Sequence, residues 1–130
     1  MVKFTFRIPL YKIDVTLVQV EDKSDSKLVN SLLRSIKARE EDISDVIAGI
    51  ERGCFNGGET FRAFDMKRML VIFYVMKSER IRAEIYSHEK RHIEDRVLQY
   101  ASVDDIESAG LIVGFLGEKF YDFERLVKGK

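Results

Sequence analysis

The sequence predicts an α+β fold in which a small mixed or antiparallel sheet packs against helices. Apolar and polar residues alternate near the N-terminus and again in the middle of the chain, which is the period of a β-strand. After each of these regions, apolar residues recur at helical spacing. With 130 residues, 45% of them apolar, the chain has the size of one domain that spans residues 1–130.

Two strands open the chain. Alternation runs from Val2 to Ile8 and resumes after Pro9, from Tyr11 to Leu17. The phase shifts at Val18 and Val20, which indicates a bulge or the end of the second strand. Two helices follow, one behind the capping residues Ser24 and Asp25 and one behind Asp42, and Gly53 ends the second.

A hairpin and two longer helices complete the chain. An outer strand from Thr60 to Phe64 is joined by a turn to a buried strand from Arg68 to Met76. Apolar residues from Ile81 to Val97 then predict one helix, and those behind Ser102 predict another. The predicted order is therefore β-β-α-α-β-β-α-α.

Composition excludes several classes of function. Lysine and arginine together number 22, as do aspartate and glutamate, so no basic surface for nucleic acid is expected. A single cysteine, Cys54, and an N-terminus without a signal-peptide core predict a cytoplasmic protein. The longest apolar run, Met69 to Met76, has the length of a strand, so no membrane partner is expected.

The penultimate predicted helix carries the pattern H-E-x-x-H in His88, Glu89 and His92, which include the only histidines of the chain. Histidines four residues apart share one helix face and can bind one Zn²⁺. Glu89, about 100° around the helix, can act as general base on a zinc-bound water. This pattern predicts zinc as cofactor and amide hydrolysis as the reaction. A helix whose histidines pair with acids such as Asp95 is the alternative.

A catalytic zinc site uses three protein ligands, and no third histidine exists. A carboxylate or Cys54 must therefore complete the site. Asp104, Asp105 and Glu107 near the start of the last predicted helix are the carboxylates considered.

HEKRH on one helix and DDIESAG at the start of the next resemble the gluzincin branch of the zincin superfamily. The resemblance implies a zinc metallopeptidase of zincin-like fold whose third ligand is a glutamate on the following helix. It also implies an edge strand that holds an extended peptide or protein substrate. That strand would consist of Thr60, Phe61, Arg62, Ala63 and Phe64.

Helical phase favours Glu107 over the two aspartates. It shares a face with Gly110, Gly114 and Gly117, and glycines inside a helix indicate close approach to another element, here the histidine helix. Asp104 is the second choice. The site closes more easily if the histidine helix ends soon after Arg96 or crosses the next helix steeply.

The functional prediction is a zinc-dependent metallopeptidase with His88, His92 and Glu107 as metal ligands and Glu89 as general base. Three tyrosines could stabilise the oxyanion by their chemistry alone: Tyr86, Tyr100 and Tyr121. The alternative is a catalytically inactive zincin-like interaction or structural module.

Overall fold

The computed structural model of the protein describes most of the chain. Described are residues 1–9, 11–53, 57–74, 78–100 and 106–129, except the side chains of residues 106 and 107. The elements are β1 (Val2–Ile8), β2 (Ile13–Gln19), a 3-10 turn (Lys23–Asp25), α1 (Ser26–Ser35), α2 (Glu40–Arg52), β3 (Gly58–Arg62), β4 (Arg68–Phe73), α3 (Glu79–Tyr100) and α4 (Ile106–Lys128). The predicted α+β class and the order of strands and helices are confirmed, and the motif lies on the penultimate helix.

The four strands form one mixed sheet in the order β1-β2-β4-β3. β1 and β2 are antiparallel, β2 and β4 are parallel, and β3 is antiparallel to β4. β3 has one neighbour only and therefore forms an edge of the sheet.

Helices cover both faces of the sheet. On one face, α3 and α4 bury Val71 and Phe73 of β4, and on the other, α1 and α2 bury Leu70 and Ile72. Burial on both faces explains why β4 is apolar at successive positions instead of alternating. β2 is also central, so Val18 is buried on the α1–α2 face while the strand continues in register to Gln19. The phase shift predicted as a bulge or a strand end is therefore double-sided burial at Val18, and β2 ends at Gln19, just before Val20.

The boundaries of the hairpin differ from the prediction. β3 begins at Gly58 and ends at Arg62, two residues earlier than predicted at each end, because Ala63 and Met66 already belong to the turn: the Met66 N–H donates to the Ala63 carbonyl. β4 ends at Phe73 rather than at Met76, which lies outside the described residues. No helix in the described part of the chain is long and apolar enough to cross a membrane.

Candidate metal centre

α3 brings the two histidines together. His88 and His92 are four residues apart on this helix, and their Nε2 atoms lie 3.0 Å from each other. The ring planes are nearly perpendicular, at 87°, and both rings are accessible to solvent. A spacing of 3.0 Å allows one ion to lie at the usual zinc–nitrogen distance, roughly 2.0–2.1 Å, from both nitrogens. The pair therefore fits a metal of this kind.

Glu89 lies between α3 and the edge strand. Its side chain is 4% exposed, and its Oε2 accepts a hydrogen bond of 2.6 Å from the Thr60 hydroxyl. A carboxylate oxygen of Glu89 and one ring nitrogen of each histidine all lie within 4.8 Å of one another. Of the described histidine, cysteine, aspartate and glutamate side chains, these form the one group of three near enough to hold a single ion.

A glycine allows β3 to lie this close to α3. A Cβ atom built on Gly58 would be 3.0 Å from Glu89 Cγ, 3.1 Å from Phe73 Cδ1 and 3.2 Å from Ile85 Cγ2. These distances are shorter than ordinary carbon–carbon contacts. Gly58 is therefore needed for the approach that puts Thr60 against Glu89.

Arg96 adds a second link between α3 and β3. Its Nη1 donates a hydrogen bond of 3.2 Å to the carbonyl oxygen of Thr60. Burial lowers the pKa of the Arg96 guanidinium, and the nearby charge of Arg62 lowers that pKa further, while the carboxylate of Glu89 opposes both effects. One arginine of the edge strand, Arg62, and one of α3, Arg96, thus interact where the two elements meet.

The predicted third ligand is not described. Asp104 and Cys54 lie outside the described residues, and Glu107 belongs to α4 with its side chain outside them. Glu107 as a ligand therefore stays a prediction.

The packing of α3 against α4 bears on whether Glu107 can reach the histidines. α3 continues to Tyr100 and runs antiparallel to α4, because Tyr86 contacts Phe123 at 5.5 Å between ring centroids while Gly117 lies opposite Lys90. In this register His92 is level with about the middle of α4, about 13 Å along α4 from Glu107 at the rise of an α-helix. α3 thus continues past Leu98 alongside an antiparallel α4, an arrangement that counts against Glu107 as a ligand.

The predicted close approach of the glycine face is found at one glycine of three. A Cβ on Gly117 would lie 3.8 Å from Lys90 Cε of α3, whereas a Cβ on Gly110 or Gly114 would meet no atom of the described residues within 4 Å. The prediction was wrong for these two glycines, because α4 packs against α3 and the sheet through a different face. That face consists of Ile112, Leu116, Phe120 and Phe123.

The side chains of the predicted substrate strand lie on both faces of the sheet. The Thr60 hydroxyl points at Glu89, and Arg62 is exposed. Phe61 packs against the core on the α1–α2 side, and Ala63 is buried in that core. Phe64, at the hairpin tip, is fully exposed. Backbone groups and the α3-facing side chains, rather than all five side chains, are thus available beside the histidines.

The three tyrosines have different surroundings. Tyr86 is buried and its hydroxyl donates a hydrogen bond of 2.6 Å to Gln19 Oε1, so it is a core residue. Tyr100 and Tyr121 are exposed on α3 and α4.

Sequence reasoning missed the contacts of Thr60 and Arg96. Nothing local in the sequence pairs Thr60 with Glu89, because the contact depends on how the sheet edge meets the helix. Arg96 carried a usable signal, since it continues the stripe of His88 and His92 at intervals of four residues.

Comparison of the chain with known protein families, with curated proteins and with solved structures finds no match in any of the three.

Proposed function

We propose that the protein is a zinc-dependent metallopeptidase of the zincin type. The observation that carries this proposal is the group of His88, Glu89 and His92, with two imidazole nitrogens 3.0 Å apart and a carboxylate oxygen within 4.8 Å of them. The group lies beside an open sheet edge, where an extended peptide can pair with the backbone.

Each residue of the group has a distinct role. His88 and His92 would hold the zinc through Nε2, and Glu107 is the proposed third ligand. Bound Zn²⁺ supplies a water that loses its proton near neutral pH, and it polarises the carbonyl to be attacked. With zinc bound, Glu89 would take a proton from that water and pass it to the leaving amide nitrogen. Thr60 holds one oxygen of this carboxylate by its hydroxyl, which fixes the orientation of Glu89.

A structural or interaction module is the second candidate, and one observation favours it. Glu89 is 4% exposed and bonded to Thr60, so this carboxylate can serve simply to fasten α3 to β3. In that case zinc would brace α3 through the two histidines, and no reaction would follow.

Glu89→Gln distinguishes the two candidates. The chain is purified without chelator or histidine tag, its zinc is measured by elemental analysis, and cleavage is followed on a mixed pool of unstructured peptides. We expect about one zinc per chain in the unmodified protein and in Glu89→Gln, because Glu89 is not a ligand. Turnover should fall by at least about a hundredfold in Glu89→Gln, since the amide cannot accept the proton. The Gln oxygen can still accept from Thr60, so the fold is kept.

The controls separate metal loss from base loss. His88→Ala should lose both zinc and turnover, whereas Glu84→Gln, an exposed change on the same helix, should lose neither. Absence of zinc from the unmodified protein overturns both candidates that use it. Zinc without peptide cleavage, unaffected by Glu89→Gln, supports the structural module instead.

A further inference from the structure

The outer edge of β3 presents backbone groups in a known pattern. The Tyr74 N–H donates to the Gly57 carbonyl at 3.0 Å, and the Ala63 N–H donates to the Arg68 carbonyl at 2.8 Å. In an antiparallel pair, hydrogen-bonded residues alternate with residues whose N–H and C=O point away from the partner. The register of β3 against β4 therefore turns the following residues outward: Gly58, Thr60 and Arg62.

One of these outward-pointing backbone groups already forms a hydrogen bond with a side chain. The Thr60 carbonyl accepts a hydrogen bond from Arg96 Nη1 at 3.2 Å. Any strand that pairs with β3 at this point needs the same carbonyl for one of its own N–H groups. Arg96 therefore competes with such a strand for the Thr60 carbonyl.

The two arginines beside this edge lack an acidic partner within the described structure. No carboxylate of the described residues lies within 4.0 Å of the Arg62 or the Arg96 guanidinium. The charge of Arg62 lowers the pKa of Arg96 by more than the carboxylate of Glu89 raises it, so the repulsion between the two arginines outweighs the attraction of Glu89. A carboxylate placed between them would relieve that repulsion and accept from both.

We propose that the outer edge of β3 binds an extended peptide that carries an acidic side chain, and that Arg62 and Arg96 together bind its carboxylate. The acidic peptide would be the substrate of the proposed peptidase, so this inference rests on the proposed function. On binding, a peptide N–H takes the Thr60 carbonyl, and Arg96 exchanges this neutral acceptor for a charged one. In the new contact both partners carry charge, and a guanidinium can donate two parallel hydrogen bonds to one carboxylate, so the exchange favours the acidic peptide.

The geometry sets where the acidic residue lies. Gly58 is opposite Ile85 and Glu89, and Thr60 contacts Glu89 and Arg96, so β3 and α3 advance side by side. His88, His92 and Arg96 form one stripe of α3 at intervals of four residues. A peptide along β3 therefore passes the histidine pair and the two arginines in turn. The acidic side chain belongs within about two residues of the bond at the metal, since a strand advances about 3.3 Å per residue.

Peptide binding to the full chain carrying Glu89→Gln, loaded with zinc, tests this proposal. The probes are end-blocked eight-residue peptides of alternating threonine and valine with one central residue changed to Glu, Gln or Lys. Affinity is measured by calorimetry at low and high salt. We expect the Glu peptide to bind about tenfold more tightly than the Gln peptide, and this preference to shrink with salt. Equal affinity for the three peptides overturns the proposal.

Variants identify the groups responsible. Arg62→Gln combined with Arg96→Gln should abolish the preference for Glu, while Arg80→Gln, which removes one exposed positive charge from α3, should keep it. A preference that survives the double change contradicts the assignment. If the double variant does not fold, amide chemical shifts of Gly58, Thr60 and Arg62 in the otherwise unmodified chain decide: they should move when the Glu peptide is added, and unmoved shifts contradict docking at β3.

Two further arms separate this inference from related possibilities. The Gln peptide with a free C-terminal carboxylate should bind no better than its blocked form, and tighter binding would assign the arginines to a chain end instead. Peptides cleaved by the unmodified enzyme without preference for an acidic residue would leave the peptidase standing and refute the docking proposal. Selective binding of the Glu peptide without any cleavage would support the docking proposal and refute the peptidase.

Discussion

Thr60 on the edge strand β3 donates a hydrogen bond of 2.6 Å to Oε2 of Glu89 on α3. The accepting carboxylate is 4% exposed, so water cannot readily replace the donor. One contact thus joins the element proposed to bind substrate to the residue proposed to move the proton. Its strength can be measured independently of any activity.

Thr60→Val should lower the free energy of unfolding by about 1–3 kcal/mol, because a buried carboxylate oxygen loses its donor. Thr60→Ser keeps the hydroxyl and should retain most of the stability. Urea denaturation of both variants measures the difference. Thr5→Val is the matched control, since the Thr5 hydroxyl bonds Thr16 on an exposed part of the sheet and should contribute less than ~0.5 kcal/mol. Equal losses at Thr60 and Thr5 would contradict a special role for the buried contact.

Gly58→Ala should destabilise the protein by about 1–3 kcal/mol through overpacking. The added methyl would lie 3.0–3.2 Å from three side chains, of which Phe73 is fully buried and Glu89 nearly so. Thermal unfolding measures the loss. Separation of β3 from α3 would also lengthen the contact between Thr60 and Glu89, so the proposed peptidase activity should fall with it.

Gly114→Ala is the control with the opposite sign. The added Cβ would meet no atom of the described residues within 4 Å, so the change should raise stability by about 0.5–1 kcal/mol, the usual advantage of alanine over glycine inside a helix. A loss of stability at Gly114 would show that another element covers this face, as the sequence alone had suggested.

How much of the fold and of the site could be predicted from the sequence depends on how far apart in the sequence the interacting residues lie. Strand order along the chain and the two histidines on one helix face could be predicted, because a period of two or of four residues is local. The contact between Thr60 and Glu89 could not, because it joins residues 29 apart in sequence through the packing of a sheet edge on a helix. The glycine face of α4 was misinterpreted since exposed and closely packed glycines look identical in a sequence.

Tyr86→Phe should weaken the fold and change how stability depends on pH. The Tyr86 hydroxyl donates to Gln19 Oε1 at 2.6 Å, and burial raises the pKa of the phenol well above its ordinary range. The folded state therefore keeps the proton more tightly than the unfolded chain. This contribution is fully present below pH ~10, where tyrosine is neutral in both states, and is lost as the pH rises further.

Urea midpoints at pH 8 and pH 10.5 test the sign. The unmodified protein should lose stability between the two values, and Tyr86→Phe, already weaker by about 1–3 kcal/mol at pH 8, should lose less. Tyr121→Phe, an exposed change on α4, should behave like the unmodified protein. An equal slope in Tyr86→Phe would refute this assignment. Tyr74, whose pKa burial also raises, contributes to the dependence that remains.

Binding of zinc by Glu107, the proposed third ligand, would require a change in the structure. Glu107→Gln should weaken zinc binding by at least about tenfold, whereas Asp104→Asn should have a smaller effect, because a lost ligand costs more than a lost outer contact. For Glu107 to reach the histidines, which are about 13 Å away along α4 in the present register, the end of α3 must unwind or shift. Zinc should therefore increase hydrogen exchange of the α3 amides beyond Val97 while protecting those around His92. Zinc binding that leaves exchange beyond Val97 unchanged, and that is unaffected by Glu107→Gln, would remove Glu107 from the site and leave a two-histidine centre open to a different third ligand.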